Sequence, residues 1–337
     1  LESTVREMSR VGPSSGLVAV LGVAAPFALG WWAGSLLLPD SEIYVHMFLG
    51  ATLTATSVGI TARVLQDLGK LRTDESRIIL GAAVIDDVLG LVILSVVTGI
   101  IDGVSRGTGL SMAGVLWIVA KSLGFLVAAI GLGLVISPRI FSWAAKLRSG
   151  GVLLAVALSF CFLLAGLAAK IGLAPIVGAY AAGLIVEDAH YKDFRGRLEF
   201  KLEQMMHPLT GFLVPVFFVL MGTRVDLAAF QDPQTIGLAA VLTLAAIVGK
   251  QVCSLGVLKK GVDRLSIGIG MIPRGEVGLI FANIGLGLTL HGHRIVEPHI
   301  YSAIVIMVIV TTMVTPPALA WSLRRKERRG GALGDPV

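Results

Sequence analysis

The stretch GAAVIDDVLGLVILSVV, residues Gly81 to Val97, places two adjacent carboxylates in the middle of an apolar run. Ionised side chains at membrane depth are costly, and they persist where they are paired or line a watery cavity. Asp86 and Asp87 therefore mark the first candidate functional site of the chain.

The composition is that of a helical membrane protein. Of 337 residues, 55% are hydrophobic and only 15% are charged, against about 25% charged in soluble domains. The 41 glycines are spread through the apolar runs, where small residues allow helices to approach closely. The alternating ten-residue pattern of an outer-membrane barrel is absent from the sequence. We therefore predict an all-α polytopic membrane protein, and we expect both cysteines to be small buried hydrophobes.

About ten segments are long and apolar enough to cross a bilayer core of about 30 Å. They cover residues 14–38, 43–65, 76–101, 110–137, 150–170, 173–187, 202–222, 235–258, 265–290 and 298–323. The sixth is the shortest, and the charged connection after it is expected to hold a short interfacial helix. Most of the 28 Lys and Arg residues fall in alternate connections and in both ends of the chain. By the positive-inside rule, both ends of this chain are expected in the cytoplasm.

Three positive charges, Lys121, Lys250 and Arg274, remain inside apolar segments, as do Asp86, Asp87 and Glu276. Counted at 1.5 Å per residue from the nearer segment ends, the acid pair and Lys250 both lie about 15 Å deep, near the midplane. They are plausible partners, and a purely structural ion pair is the alternative interpretation. Because one lysine cannot neutralise two carboxylates, we expect one acid to hold Lys250 and the other to face water. Lys121 has no predicted partner and is expected to snorkel.

Two segments are expected to be broken in mid-membrane. The second contains the hydroxyl-rich stretch TLTATS, ending in Thr56 and Ser57, and the ninth contains Pro273, Arg274 and Gly275. Irregular backbone at this depth is tolerated where it is buried in protein or lines a cavity. The alternatives are hydroxyls that bond to their own helix and a simple proline kink. The first break lies in the group of segments one to three and the second in the group of segments eight to ten, and the two groups have opposite orientations. This pattern predicts an inverted-repeat core with two crossing broken helices.

The motifs AVIDDVLGLVIL, LTATSVGITARVL, IPRGEVGLI and AAIVGKQVCS together resemble the bacterial sodium/proton antiporters of the cation:proton antiporter superfamily, NapA type. The resemblance covers all ten segments. It implies that Asp87 binds the transported cation, that Asp86 pairs with Lys250, and that Thr56 and Ser57 help to coordinate the ion. It implies further that Glu276 belongs to a polar network that steadies the crossing, together with Arg274.

The resemblance also implies a domain organisation and a homodimer. The first repeat of an ion-translocating core would cover residues 14–101 and the second residues 235–323. A linker helix would cover 110–137, a scaffold and dimerisation domain 150–222, and a cytoplasmic tail 324–337. Members of the family carry about three further N-terminal helices, and the first residues, LEST, resemble the sequence that follows them.

The predicted function is secondary active exchange of Na⁺, with Li⁺ as a further candidate, for H⁺ across the inner membrane. It proceeds by alternating access, is electrogenic, and requires no cofactor or nucleic acid. The alternatives of the same fold are a K⁺/H⁺ exchanger, a K⁺ efflux transporter and a sodium-coupled organic-anion symporter; a sensor module without transport also stays open. An intramembrane aspartyl protease is disfavoured because its two carboxylates must face each other across a water molecule. The motif HGHR at His291 is expected in an exposed loop.

Overall fold

The computed structural model describes residues 12–107, 112–146, 152–193 and 202–331. The chain is almost wholly helical in these ranges, which confirms the predicted all-α class. Its helices are α1 (Pro13–Leu37), α2 (Ile43–Thr54), α3 (Val58–Asp67), α4 (Asp74–Ser105), α5 (Met112–Lys146), α6 (Val152–Lys170), α7 (Pro175–Asp193), α8 (Leu202–Thr223), α9 (Pro233–Val252), α10 (Arg264–Gly270), α11 (Gly275–Gly287) and α12 (Pro298–Gly331). Short 3₁₀ turns cover Leu227–Phe230 and Cys253–Gly256.

Within the described residues, 7 helical segments are long and apolar enough to span a membrane, or 8 if the bent pair α10 and α11 is one span. The segment Ile43–Asp67 counts as one of them although it contains the break between α2 and α3. Two shorter apolar helices, Leu154–Lys170 and Pro175–Val186, lie where the fifth and sixth segments are predicted. The ten predicted segments thus each correspond to apolar helix, but two are shorter than a full span.

Two features differ from the sequence prediction. Helix α7 continues as far as Asp193, into the charged connection, and the residues after it lie outside the described ranges. Between α11 and α12 the chain forms a small antiparallel hairpin of β1 (Thr289–Leu290) and β2 (His293–Arg294). Its turn places His291 at φ 50° and Gly292 at φ 85°. Segments this short carry too little periodicity to be predicted from sequence.

The helix starts follow local chemistry. Helix α1 begins with a proline at its first position, where the missing N–H is not needed. Asp232 caps α9 by accepting from the backbone N–H groups of Gln234 and Thr235, and Asp263 caps α10 by accepting from that of Leu265. These caps fix the start of two helices that carry candidate site residues or lead into them.

The described residues divide into two compact units, one within 98–223 and one formed by 12–97 together with 224–331. In the first, α5, α6 and α7 pack on one another. In the second, α1 packs between α2 and α9, and α9 packs on α12. The core of this second unit includes Val18 of α1, Ile79 of α4, Cys253 after α9 and Met271 after α10, all fully buried. Every candidate site residue discussed below, except Lys121, belongs to the second unit.

Candidate functional site

A buried ion pair joins α4 to α9. The Lys250 ammonium lies 2.9 Å from Asp86 Oδ1, and the two side chains are 0% and 1% exposed. The other carboxylate oxygen of Asp86, Oδ2, is also buried and has no hydrogen-bond partner among the described residues. A buried acceptor without a donor costs free energy in the fold. Asp86 therefore keeps one oxygen available for a further positive group.

Asp87 follows Asp86 on the same helix but lies in a different environment. Neighbouring residues of an α-helix point about 100° apart, so the two carboxylates do not share one direction. Asp86 is buried, whereas Asp87 is only partly buried. The pair therefore offers one carboxylate engaged with lysine and one that is more accessible.

The two predicted breaks lie against each other in the second unit. Between α2 and α3, residues Ala55 to Ser57 leave the helix, and Ser57 takes an extended conformation. Between α10 and α11 the axis bends by 46°. The Ser57 backbone N–H donates to the Pro273 carbonyl at 2.8 Å, which bonds one break directly to the other. Thr61, one turn into α3, donates its hydroxyl to the Gly270 carbonyl at 2.7 Å.

Gly275 makes the close approach of the two breaks possible. Its φ of 46° lies in the left-handed region, and a Cβ at this position would collide with the Ser57 side chain. The Gly275 backbone N–H, at the start of α11, donates to the Thr312 hydroxyl of α12 at 3.2 Å. A side chain at position 275 would therefore push the breaks apart.

Arg274 is a fully buried cation that bonds to main-chain oxygens. Its Nη1 donates to the Ala55 carbonyl at the end of α2, and its Nη2 donates to the Ala246 carbonyl of α9 at 3.2 Å. The C-terminal end of a helix carries partial negative charge and unpaired carbonyls, so a guanidinium there is electrostatically favourable. Arg274 thus ties the first break to the helix that carries Lys250.

Glu276 lies at the crossing, and among the described residues its side chain is hydrogen-bonded to Ser57 and not to Arg274. The Ser57 hydroxyl donates to Glu276 Oε2 at 2.8 Å, and Glu276 is exposed. The predicted network therefore contains both residues in different connections. The sequence could not indicate this, because the partners of Arg274 are backbone carbonyls, which every residue carries.

The hydroxyls of the second segment divide into two groups. Thr52 and Thr54 donate to carbonyls of their own helix, those of Phe48 and Ala51. The Thr56 hydroxyl is buried and has no hydrogen-bond partner among the described residues. Bonding to the helix's own carbonyls thus accounts for the first two hydroxyls, while those of Thr56 and Ser57 are oriented differently.

Lys121 of α5 belongs to the other unit. Its ammonium lies beside the turn between α6 and α7, where a Cβ on Gly172 would be 3.5 Å from Nζ. Carbonyl groups are exposed where a helix ends, so this is a favourable place for a cation. The residues of the HGHR motif are exposed, and His291 lies 3.2 Å from Glu42.

Comparison with known proteins settles the family. The family model described as sodium/hydrogen exchanger, transmembrane, matches residues 1–325. The chain belongs to this family. It is a membrane transporter and not an enzyme, and its family exchanges sodium ions for protons.

Individual relatives agree with this exchanger assignment. The chain is 38% identical over 326 residues to the high-affinity Na⁺/H⁺ antiporter NhaS3 of Synechocystis, covering 95% of this chain and 67% of that protein. It is 34% identical to the Na⁺/H⁺-K⁺ antiporter GerN of Bacillus cereus, covering 97% of this chain and 80% of GerN. The solved structure of the sodium proton antiporter MjNhaP1 from Methanocaldococcus jannaschii shares the fold, with a TM-score of 0.69 at 15% identity, over 95% of this chain and 80% of that one.

The sequence prediction missed two residues that lie at this exchanger's candidate site. Gly22 of α1 faces the ion pair: a Cβ placed there would be 3.6 Å from Lys250 Nζ and 3.7 Å from Asp86 Oδ1. The Thr312 hydroxyl of α12 accepts a hydrogen bond from the backbone N–H of Gly275, the first residue of α11. The only hint for Gly22 is its position four residues before Pro26, which breaks the helical bonding pattern of α1.

Proposed function

We propose that this exchanger carries its ions at the acid pair Asp86 and Asp87. The observation that carries the proposal is the buried Asp86–Lys250 pair beside the more accessible Asp87. Asp87 binds either a proton or Na⁺, and it cannot hold both at once. Competition for one carboxylate couples the two ions, because each must leave before the other can bind.

The lysine makes the exchange electrogenic. In the proton-loaded state Asp87 is protonated and the Lys250 ammonium is paired with Asp86. An entering Na⁺ displaces the proton of Asp87 and competes with the ammonium for the acid pair. The released lysine, with its partner engaged and no water around it, gives up one proton to the aqueous path. One Na⁺ then moves against two protons, so one net charge crosses the membrane in each cycle.

Hydroxyl and backbone oxygens near the first break complete the cation site in this proposal. A hard monovalent cation prefers oxygen ligands. Thr56 offers a buried hydroxyl that has no hydrogen-bond partner within the described ranges, and Ser57 offers a second hydroxyl, which donates to Glu276. Arg274 and Glu276 do not contact the ion in this proposal; they stabilise the crossing of the two breaks.

The proposal places the ion site within a larger organisation. Residues 14–101 and 235–323 form the translocating core, 110–137 the linker helix, 150–222 the scaffold through which two copies dimerise, and 324–337 the tail. The chain lies in the inner membrane with both ends in the cytoplasm, as the distribution of Lys and Arg favours.

The test is cation-driven proton movement in proteoliposomes with an internal pH dye. Na⁺, Li⁺ and K⁺ are added in turn to vesicles with an outward or inward proton gradient. Na⁺ is expected to drive proton movement, and K⁺ is included because the relative GerN is named an Na⁺/H⁺-K⁺ antiporter. A response to K⁺ alone would overturn the sodium assignment. Proton movement independent of any added cation would overturn the exchange itself.

A further inference from the structure

Gly22 of α1 lies beside the Asp86–Lys250 ion pair and leaves space there because it has no side chain. Helix α1 passes the pair at Gly22, which is buried. A methyl group at this position would lie 3.3 Å from the Cys253 Cβ, 3.6 Å from the Lys250 ammonium and 3.7 Å from Asp86 Oδ1. The direction in which a side chain would project from Gly22 therefore points at the pair, and a methyl group would fit there only if the Cys253 side chain moved by a few tenths of an ångström.

The same residue carries a carbonyl that has lost its helical donor. In an α-helix the carbonyl of residue 22 accepts from the N–H of residue 26. That residue is Pro26, inside α1, and proline has no N–H. The Gly22 carbonyl thus lacks its α-helical donor on the turn of α1 that passes Lys250.

A lysine that leaves Asp86 needs such an acceptor. Lys250 is 0% exposed, so water cannot solvate its nitrogen in this arrangement. A buried amine without a partner is costly, whether it is charged or neutral. Both forms retain N–H groups that a carbonyl can accept.

We propose that Gly22 is a positioning residue for the exchange: its space and its freed carbonyl receive the Lys250 nitrogen when Na⁺ takes its place on the acid pair. The inference rests on the proposed function, in which Na⁺ and the lysine compete. The nitrogen swings from Asp86 to Gly22, gives up its proton to the path that leads past Asp87, and returns when protons reload the site. No covalent bond changes apart from this N–H.

The test compares Gly22→Ala with Gly16→Ala. Gly16 lies on the same helix, and none of the described residues comes within 4 Å of the position that a Cβ would take. The added methyl at position 22 occupies the space and keeps the ammonium on Asp86, so Na⁺ must compete harder. The Na⁺ concentration for half-maximal thermal stabilisation of the purified protein, and the KM of exchange for Na⁺, should both rise roughly tenfold. Gly16→Ala should leave both unchanged.

A second background separates movement of lysine from simple crowding. In Lys250→Gln there is no ammonium to move, so adding Gly22→Ala should not shift the Na⁺ dependence of thermal stability. An equal shift in both backgrounds would overturn the inference. If Gly22→Ala does not fold, Pro26→Ala is used in its place, because it gives the Gly22 carbonyl an N–H donor without filling the space. An unchanged Na⁺ dependence of thermal stability in Pro26→Ala would then overturn the inference.

The outcomes distinguish this inference from the proposed function. If the wild-type protein shows no stabilisation by Na⁺ and no Na⁺-driven proton movement, the proposed function fails. If the wild-type protein responds to Na⁺ and Asp87→Asn does not, the proposed function stands. In that case, identical Na⁺ dependence in Gly22→Ala and Gly16→Ala removes the role of Gly22 alone.

Discussion

The backbone N–H of Ser57 donates a 2.8 Å hydrogen bond to the carbonyl of Pro273, so the two helix breaks are bonded to each other directly. Arg274, the next residue, adds a bond to the Ala55 carbonyl of the opposite break. Backbone groups that would be unsatisfied where a helix is interrupted therefore satisfy each other. The Ser57 hydroxyl adds a bond to Glu276, and the buried Thr56 hydroxyl has no hydrogen-bond partner among the described residues.

Asp87→Asn is expected to abolish exchange. The substitution keeps the size and the polar character of the side chain but removes the charge for which Na⁺ and H⁺ compete. Because Asp86 and Lys250 stay paired, the protein should fold with nearly unchanged thermal stability in the absence of Na⁺. Na⁺-driven proton flux in proteoliposomes is the measurement, and flux near the wild-type rate would contradict the assignment of Asp87.

Thr56→Val is expected to weaken Na⁺ binding without weakening the fold. In the described part of the chain the Thr56 hydroxyl has no hydrogen-bond partner, so replacing it by a methyl group of similar shape should leave the melting temperature equal or higher. The KM for Na⁺ should rise several-fold, and Ser57→Ala should add to the effect. Thr52→Val is the matched control, since that hydroxyl bonds to its own helix. Equal KM values for Na⁺ in the wild-type protein, Thr56→Val and Thr52→Val would contradict a role of Thr56 in binding the ion.

Lys250→Gln is expected to remove one charge from the transport cycle. The variant deletes a titrating group and leaves a polar side chain of similar length, while Asp86 loses its cationic partner. With the membrane potential clamped by K⁺ and valinomycin, wild-type Na⁺-driven proton flux should respond to the imposed voltage. The flux of Lys250→Gln, although slower, should not. A wild-type voltage response in an active Lys250→Gln protein would leave the lysine with a purely structural role.

Asp232, the N-cap of α9, is expected to stabilise the folded protein at neutral pH and to lose this effect in acid. The Thr235 hydroxyl donates to its carboxylate at 2.6 Å, and backbone N–H groups add to this, so the pKa of Asp232 is below its ordinary value. A lowered pKa in the folded state means that the stabilisation is complete above the ordinary pKa and is lost as the pH falls through the lowered one.

The measurement is the melting temperature of Asp232→Ala and the wild-type protein across acidic pH. Asp232→Ala should melt a few degrees lower near neutral pH, and the difference should shrink in acid. Asp232→Asn is the control, because asparagine caps a helix without titrating. A difference between Asp232→Ala and wild type that is independent of pH would contradict the assignment.

Depth and charge indicated that Lys250 lies near the acid pair, and the resemblance to the antiporters implied that Asp86 is the aspartate it contacts. Asp86 and Lys250 lie 164 positions apart in the chain, yet both are the charged residues of apolar segments at one depth, and the structure places them 2.9 Å apart. The breaks were equally visible, because Pro273 and the hydroxyl cluster before Ser57 interrupt otherwise regular helix.

Contacts made by the main chain could not be predicted in the same way. The resemblance implied a polar network that contains Arg274 and Glu276, but Arg274 donates to backbone carbonyls, which the residue types in the sequence do not indicate. Gly22 has no side chain to attract notice. The small hairpin at Thr289 is too short for its periodicity to be recognised.

The bonding of Arg274 has a consequence for how the family can vary. Its acceptors at Ala55 and Ala246 are backbone oxygens, which persist whatever residue occupies those positions. Sequence drift at positions 55 and 246 therefore places no demand on position 274, and an alignment should show an arginine there without a co-varying partner. Asp86 and Lys250 touch through their side chains, so the loss of one should be accompanied by the loss of the other. Among related sequences, Arg274 should therefore vary independently of the residues it contacts, whereas Lys250 should co-vary with Asp86.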